Sequence, residues 1–139
     1  MINTIDMQQM RYINLFEQVC KVSTKHCFFY NNMIVFFVPK EKVSFAVGKN
    51  GMNMKKLGDI LRKRIKVVSF SDNENDLHKF VSAIVEPMAF NKIELNGSEV
   101  VISAGRQNKA ALIGRNHQRE KELGEILKNF FKVDKLRIV

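Results

Sequence analysis

The most constraining feature of this 139-residue chain is that one pattern occurs in it twice. In the first half, Asn31-Asn32 lies between the apolar runs 27–30 and 33–38. In the second half, Asn96-Gly97-Ser98 lies between 93–95 and 99–102, 65 residues on. Asn and Gly accept the positive φ of tight turns, so each segment reads as a β-hairpin. Gly48 recurs as Gly114, 66 residues on, and the segment opening at Ile65 recurs at Val133, 68 residues on. An order of helix, strand, strand, helix, helix, strand therefore appears twice. A repeat of this length means two similar small domains rather than one sheet.

Helical spacing fills in the rest. Met10, Ile13, Phe16 and Cys20 share one face of a helix over 5–21. Val43, Ala46 and Val47 point inward from a short helix over 41–47, and Met54, Leu57, Ile60 and Leu61 from one over 53–64. A strand follows at 65–70. After the polar break at 71–74, Ser71 or Asp72 is placed to cap a helix over 74–85, which Pro87 stops. The second copy has helices over 106–113 and 118–131 and a strand over 133–139. The domains are expected at 1–72 and 92–139, joined by a helix and linker over 73–91.

A composition of 45% hydrophobic and 27% charged residues is that of a folded protein. No run of 18 apolar residues exists. The first ten residues carry Asp6 and no Lys or Arg, unlike a signal peptide, so a cytoplasmic setting is expected. Cys20 and Cys27, with His26 between them, lack the spacing and the fourth ligand of a metal site, and read as half-buried core thiols. No phosphate-binding G-x-x-x-x-G-K-[ST], nucleophile–base pair or carboxylate cluster is evident. An enzyme, a cofactor and a small-molecule substrate are not expected.

The formal net charge of +9 favours a polyanionic partner. The excess is local. Residues 40–66 hold nine basic side chains (Lys40, Lys42, Lys49, Lys55, Lys56, Arg62, Lys63, Arg64 and Lys66) against Glu41 and Asp59. Residues 106–121 hold Arg106, Lys109, Arg115, Arg119 and Lys121 against Glu120. A charge run is often only a solvated helix face, but here it surrounds the same element in both copies.

That element is Gly48-Lys49-Asn50-Gly51, a G-x-x-G loop between two helices. Glycine lets the main chain approach a ligand closely, and the helix that follows aims unbonded amides and its positive dipole end at the loop. Lys49 adds a full charge there. Alone, the tetrapeptide is weak evidence, because a helix–helix turn also uses glycine. Its place after a hairpin, its basic flanks and its repetition strengthen it. The second copy, Gly114-Arg115-Asn116-His117, has His in place of the second glycine. That residue has a Cβ and resists positive φ. Either this loop has become structural, or Arg115, with His117 and Arg119, still supplies contacts.

The element order and Val47-Gly48-Lys49-Asn50-Gly51 resemble a KH domain of the type II arrangement. The tandem pair, with Ile65-Lys66-Val67-Val68-Ser69-Phe70-Ser71-Asp72 and the helix ending at Glu86-Pro87, resembles the archaeal NusA-like transcription termination and antitermination factors over nearly the whole chain. The resemblance implies an α+β fold of two type II KH domains, each a three-stranded mixed sheet covered by helices on one face. It also implies that a G-x-x-G loop clamps about four nucleotides. Gly48, Lys49, Asn50 and Gly51, flanked by Lys42, Lys55 and Lys56, would then hold the strand, with Gly114, Arg115, Asn116 and Arg119 as a second set. Val43, Val47, Met54 and Leu57 would floor a groove for the bases beside the sheet edge.

Single-stranded RNA is the expected partner, in transcription elongation, termination or antitermination, with RNA polymerase as a candidate second partner; no membrane partner is expected. The alternative is a protein-interaction scaffold that docks on RNA polymerase or the ribosome and binds RNA weakly. Duplex DNA is disfavoured, because no helix displays base-reading Arg, Asn and Gln.

Overall fold

The structure is a computed structural model that describes residues 7–24, 26–71 and 73–139. Contacts divide the chain between Phe70 and Ser71 into two units. The first unit contains α1 (Met7–Cys20), β1 (His26–Tyr30), β2 (Met33–Val38), α2 (Val43–Val47), α3 (Met52–Leu61) and β3 (Arg64–Ser69). The second contains α4 (Leu77–Val85), β4 (Lys92–Asn96), β5 (Glu99–Ser103), α5 (Arg106–Ile113), α6 (Gln118–Phe131) and β6 (Lys135–Ile138). Single 3-10 turns precede α2, α3, α4 and α6.

Each unit has one mixed sheet, in the order β1-β2-β3 or β4-β5-β6. The hairpin pair is antiparallel, with Phe29 opposite Ile34 and Leu95 opposite Val100. The outer pair is parallel, with Phe36 opposite Val67 and Val100 opposite Leu136. Parallel neighbours cannot be joined by a tight turn and need a crossover of a dozen or more residues. Two helices make that crossover in each unit, and residues 48–51 or 114–117 form the corner between them. This is the type II KH arrangement, present twice.

The central strands show how sequence sets burial. β2 reads Met-Ile-Val-Phe-Phe-Val with no polar residue, and all six positions are buried. A continuous apolar run is what a strand covered on both faces requires. β5 reads Glu-Val-Val-Ile-Ser, and only Val100 and Ile102 are buried, as alternation predicts. In the first unit Phe16 stacks on Phe36 at 4.4 Å, and Tyr12, Cys20, Ile34 and Leu57 complete the core. In the second, Leu112, Leu123, Ile126 and Leu127 are inaccessible to water, and Phe80 meets Phe130 and Phe131 edge-on. Each such side chain contributes roughly 1.5–3 kcal/mol of apolar burial.

Some expectations change. Met10 and Ile60 are half exposed although they fall on the inward stripes, because Tyr12 and Leu57 take the core positions. The helix expected from residue 5 is seen from Met7; residues 5 and 6 lie outside the described residues. The cap before α4 is Asn73, whose side chain accepts from the Asn75 amide at 2.9 Å. Ser71 instead accepts from the Asn73 amide and donates to Asp76, and Asp72 lies outside the described residues. Cys20 and Cys27 are fully rather than half buried, and burial pushes the Cys20 thiol up to about 11. Among the described residues no helix is long and apolar enough to cross a membrane.

α3 and α6 end alike. Arg62 and Lys132 take the left-handed conformation at φ 56°, ψ 38°, a position usually filled by glycine. A side chain there costs about 1 kcal/mol or more. Lys132→Gly is therefore expected to raise unfolding stability by up to about 1 kcal/mol, read from urea midpoints at constant slope. A loss of stability would show that the cation's attraction to the helix end outweighs the strain.

Candidate nucleic-acid interface

The corner between α2 and α3 is built from backbone conformation first. α2 ends when the Gly48 amide donates to the Ser44 carbonyl at 3.1 Å. Gly48 then takes φ 83°, ψ 168°, a region open almost only to glycine. Asn50 (φ 57°, ψ 28°) and Gly51 (φ 71°, ψ 19°) are left-handed, and α3 starts at Met52. The turn closes through the Gly51 amide, which donates to the Gly48 carbonyl at 3.1 Å, and the Met52 amide, which donates to the Lys49 carbonyl. The Lys49 and Asn50 amides precede these bonds, at the positive end of the helix that follows. Both residues are exposed.

The second corner repeats this almost angle for angle. Gly114 is at φ 75°, ψ 173°, Asn116 at φ 56°, ψ 30°, and His117 at φ 60°, ψ 21°. The His117 amide closes the turn on the Gly114 carbonyl at 3.2 Å. Asn fills the third position in both loops because, outside glycine, it tolerates left-handed backbone best. His117 has therefore not unmade the loop. Its ring is exposed, and Nδ1 lies 2.8 Å from the Glu120 carboxylate.

The space around each glycine explains which one can change. A Cβ on Gly48 would come within 2.9 Å of the Asn53 side chain and 3.2 Å of the Asn53 main-chain nitrogen. A Cβ on Gly114 would come within 2.9 Å of Arg119 Cγ and 3.1 Å of its main-chain nitrogen. A Cβ on Gly51 would meet nothing within 4 Å. The first glycine is held by conformation and by space, the second by conformation alone.

Asn53 and Arg119 stand at equivalent positions and brace the corner from below. Asn53 donates to the Ala46 carbonyl at 3.0 Å, and Arg119 donates to the Ala111 carbonyl at 2.7 Å. Arg119, expected as a ligand contact, is thus half-buried and engaged with the protein, whereas Arg115 and Asn116 are exposed beside it. Lys55 and Lys56 are exposed on the first turns of α3. Lys42 is exposed at the far end of α2, roughly 8 Å along the helix axis from the loop. Of the expected groove floor, Leu57 is wholly core, while Val43 and Met54 are partly buried against it.

Three residues not singled out in the sequence join this corner. Phe45 and Met52 flank the first loop and are 61% and 62% exposed. Lys21, just past the end of α1, lines a cleft with Lys49 and Gly48. The second copy has Ala111 and Gln118 where the first has Phe45 and Met52. Among the described residues no group of three His, Cys, Asp or Glu could hold a metal ion.

No family model matches the chain. Curated relatives do. The probable transcription termination protein NusA of Methanocaldococcus jannaschii is 24% identical over 136 residues, 95% of this chain and 73% of that protein. The protein of the same name from Thermoplasma acidophilum is 24% identical, over 97% of this chain and 94% of its own. That from Halococcus morrhuae is 23% identical, over 97% of each. The crystal structure of APE1850 matches 97% of this chain and 100% of its own, with a TM-score of 0.68 and 26% identity. Repeat, fold and relatives agree along nearly the whole length: the chain folds as two type II KH units and is similar throughout to archaeal proteins named NusA.

Proposed function

We propose that the protein binds single-stranded RNA through the main-chain amides and exposed side chains of its two loops, and does so in transcription termination or antitermination, in company with RNA polymerase. One observation carries the reading: two corners with different last residues hold the same backbone, each presenting a basic residue and an Asn ahead of a helix N-terminus. Such a corner suits a phosphate and reads no base. The first loop, with Lys49, is the main contact; the second, with Arg115, is a further one. The proteins named NusA support the transcriptional setting.

The test is equilibrium binding of a labelled, unstructured RNA oligomer at several salt concentrations. Neutralisation of about four phosphates predicts a log–log slope of roughly −3, from about −0.7 per contact on a single strand. A duplex DNA of equal length is expected to bind at least about tenfold more weakly, because a flat helix–loop–helix corner has no element for the major groove. Equal binding of both, with equal slopes, would leave only unspecific attraction of a basic protein.

A further inference from the structure

The first unit carries an open cleft of about 370 Å³ on the α1 side of its loop. Val19, Cys20 and Lys21 form one wall. Ser44, Phe45, Gly48, Lys49, Met52 and Asn53 form the other, so among the described residues no strand contributes to it. It is therefore distinct from the groove beside the sheet edge, and its volume lies within the ~300–1,000 Å³ usual for small-ligand clefts.

Its chemistry is mixed in a particular way. Phe45 and Met52 are large, apolar and mostly exposed, and both line this one cleft, where adjoining exposed apolar side chains mark an interaction site rather than scattered surface residues. The fold does not demand them, since Ala111 and Gln118 serve at the matching positions of the second unit. Two cations, Lys21 and Lys49, line the same cleft. Asn53 is held in place by its bond to the Ala46 carbonyl. Cys20, whose thiol burial pushes up to about 11, brings no negative charge at neutral pH. A flat apolar surface, two cations and an oriented amide, continuous with an anion-binding loop, match a nucleotide part for part.

We infer that this cleft takes one unpaired base of the bound RNA, stacked on Phe45 and against Met52, while Lys21 and Lys49 hold the phosphate next to it. This rests on the reading of the loop as a phosphate clamp and goes beyond it. It makes the first unit a base-holding unit and the second, which lacks the aromatic, a backbone contact only. A protein partner is the less favoured occupant, because the cleft shares Gly48 and Lys49 with the loop itself.

The test uses the full chain with Phe45→Ala, Phe45→Tyr and Lys49→Asp, each titrated with an RNA oligomer and with an abasic oligomer of the same length. Phe45→Ala is expected to weaken RNA binding roughly 5- to 100-fold, the range for removing one stacking aromatic, with the salt slope unchanged. Phe45→Tyr is expected to keep wild-type affinity. The abasic oligomer is expected not to distinguish Phe45→Ala from wild type. Because Phe45 is exposed, its thermal midpoint is expected to shift by no more than about 2 °C, so loss of fold is separable from loss of contact. If Lys49→Asp weakens RNA binding and Phe45→Ala does not, the base cleft is refuted and the clamp survives. If neither substitution changes affinity, both readings fall.

Discussion

Replacing Lys49 and Asn50 together by Asp is expected to lower affinity for unpaired RNA by about 100-fold, roughly 3 kcal/mol, with little change in stability. The size follows from one lost charge-assisted contact, worth about 1.5–3 kcal/mol, and from two carboxylates set against phosphate. The salt slope should become shallower by about 0.7 for each contact removed. The fold is expected to survive for two reasons. Both side chains are exposed. Asp also accepts the left-handed conformation that position 50 requires, nearly as well as Asn does. Affinity that stays within about twofold of wild type, with the circular dichroism spectrum intact, would remove the loop from the interface.

The second large effect concerns stability. Gly48→Ala is expected to destabilise the first unit by about 3 kcal/mol, and Gly51→Ala by only about 1 kcal/mol. At φ 83°, ψ 168° a side chain enters a region essentially closed to L-residues, which alone costs roughly 1–3 kcal/mol. The added methyl group must also displace Asn53, whose side chain could move only by giving up the Ala46 carbonyl and whose main-chain nitrogen is fixed in α3. At Gly51 only the left-handed penalty of about 1–2 kcal/mol applies, because nothing lies within 4 Å. Urea unfolding of the two variants measures the gap. Equal costs would mean that the space beneath Gly48 is not what restricts it.

Much of this was legible in the residues themselves. The two hairpins announce themselves because Asn31-Asn32 and Asn96-Gly97 break apolar runs with residues that accept positive φ, and Asn31, Asn32 and Gly97 take it, while Asn96 closes strand β4. The helix expected over 118–131 is found as α6 with the same bounds. The cap before α4 is Asn73 rather than Ser71 or Asp72, because all three residue types are competent caps and only the chain's path chooses among them. Phe45 and Met52 were overlooked for a more basic reason. Phe45 falls outside the inward set Val43, Ala46 and Val47, and Met52 precedes the helix expected over 53–64, so periodicity assigns neither a place, and α2 has only five residues with which to define a face. The conformation of His117 was also beyond reach, since nothing in the sequence tells whether a neighbouring atom would block its Cβ.

That open space beneath the last loop position has a consequence for how such corners are found. What both corners share is a conformational signature: one residue confined to glycine's private region of backbone space, followed by two consecutive left-handed residues at the mouth of a helix. Only the first of these demands glycine. The last is a vacant display site that tolerates Asn, Asp or His for a modest penalty. A search keyed to two glycines will pass over members like the second corner, whereas one keyed to dihedral angles will recover them.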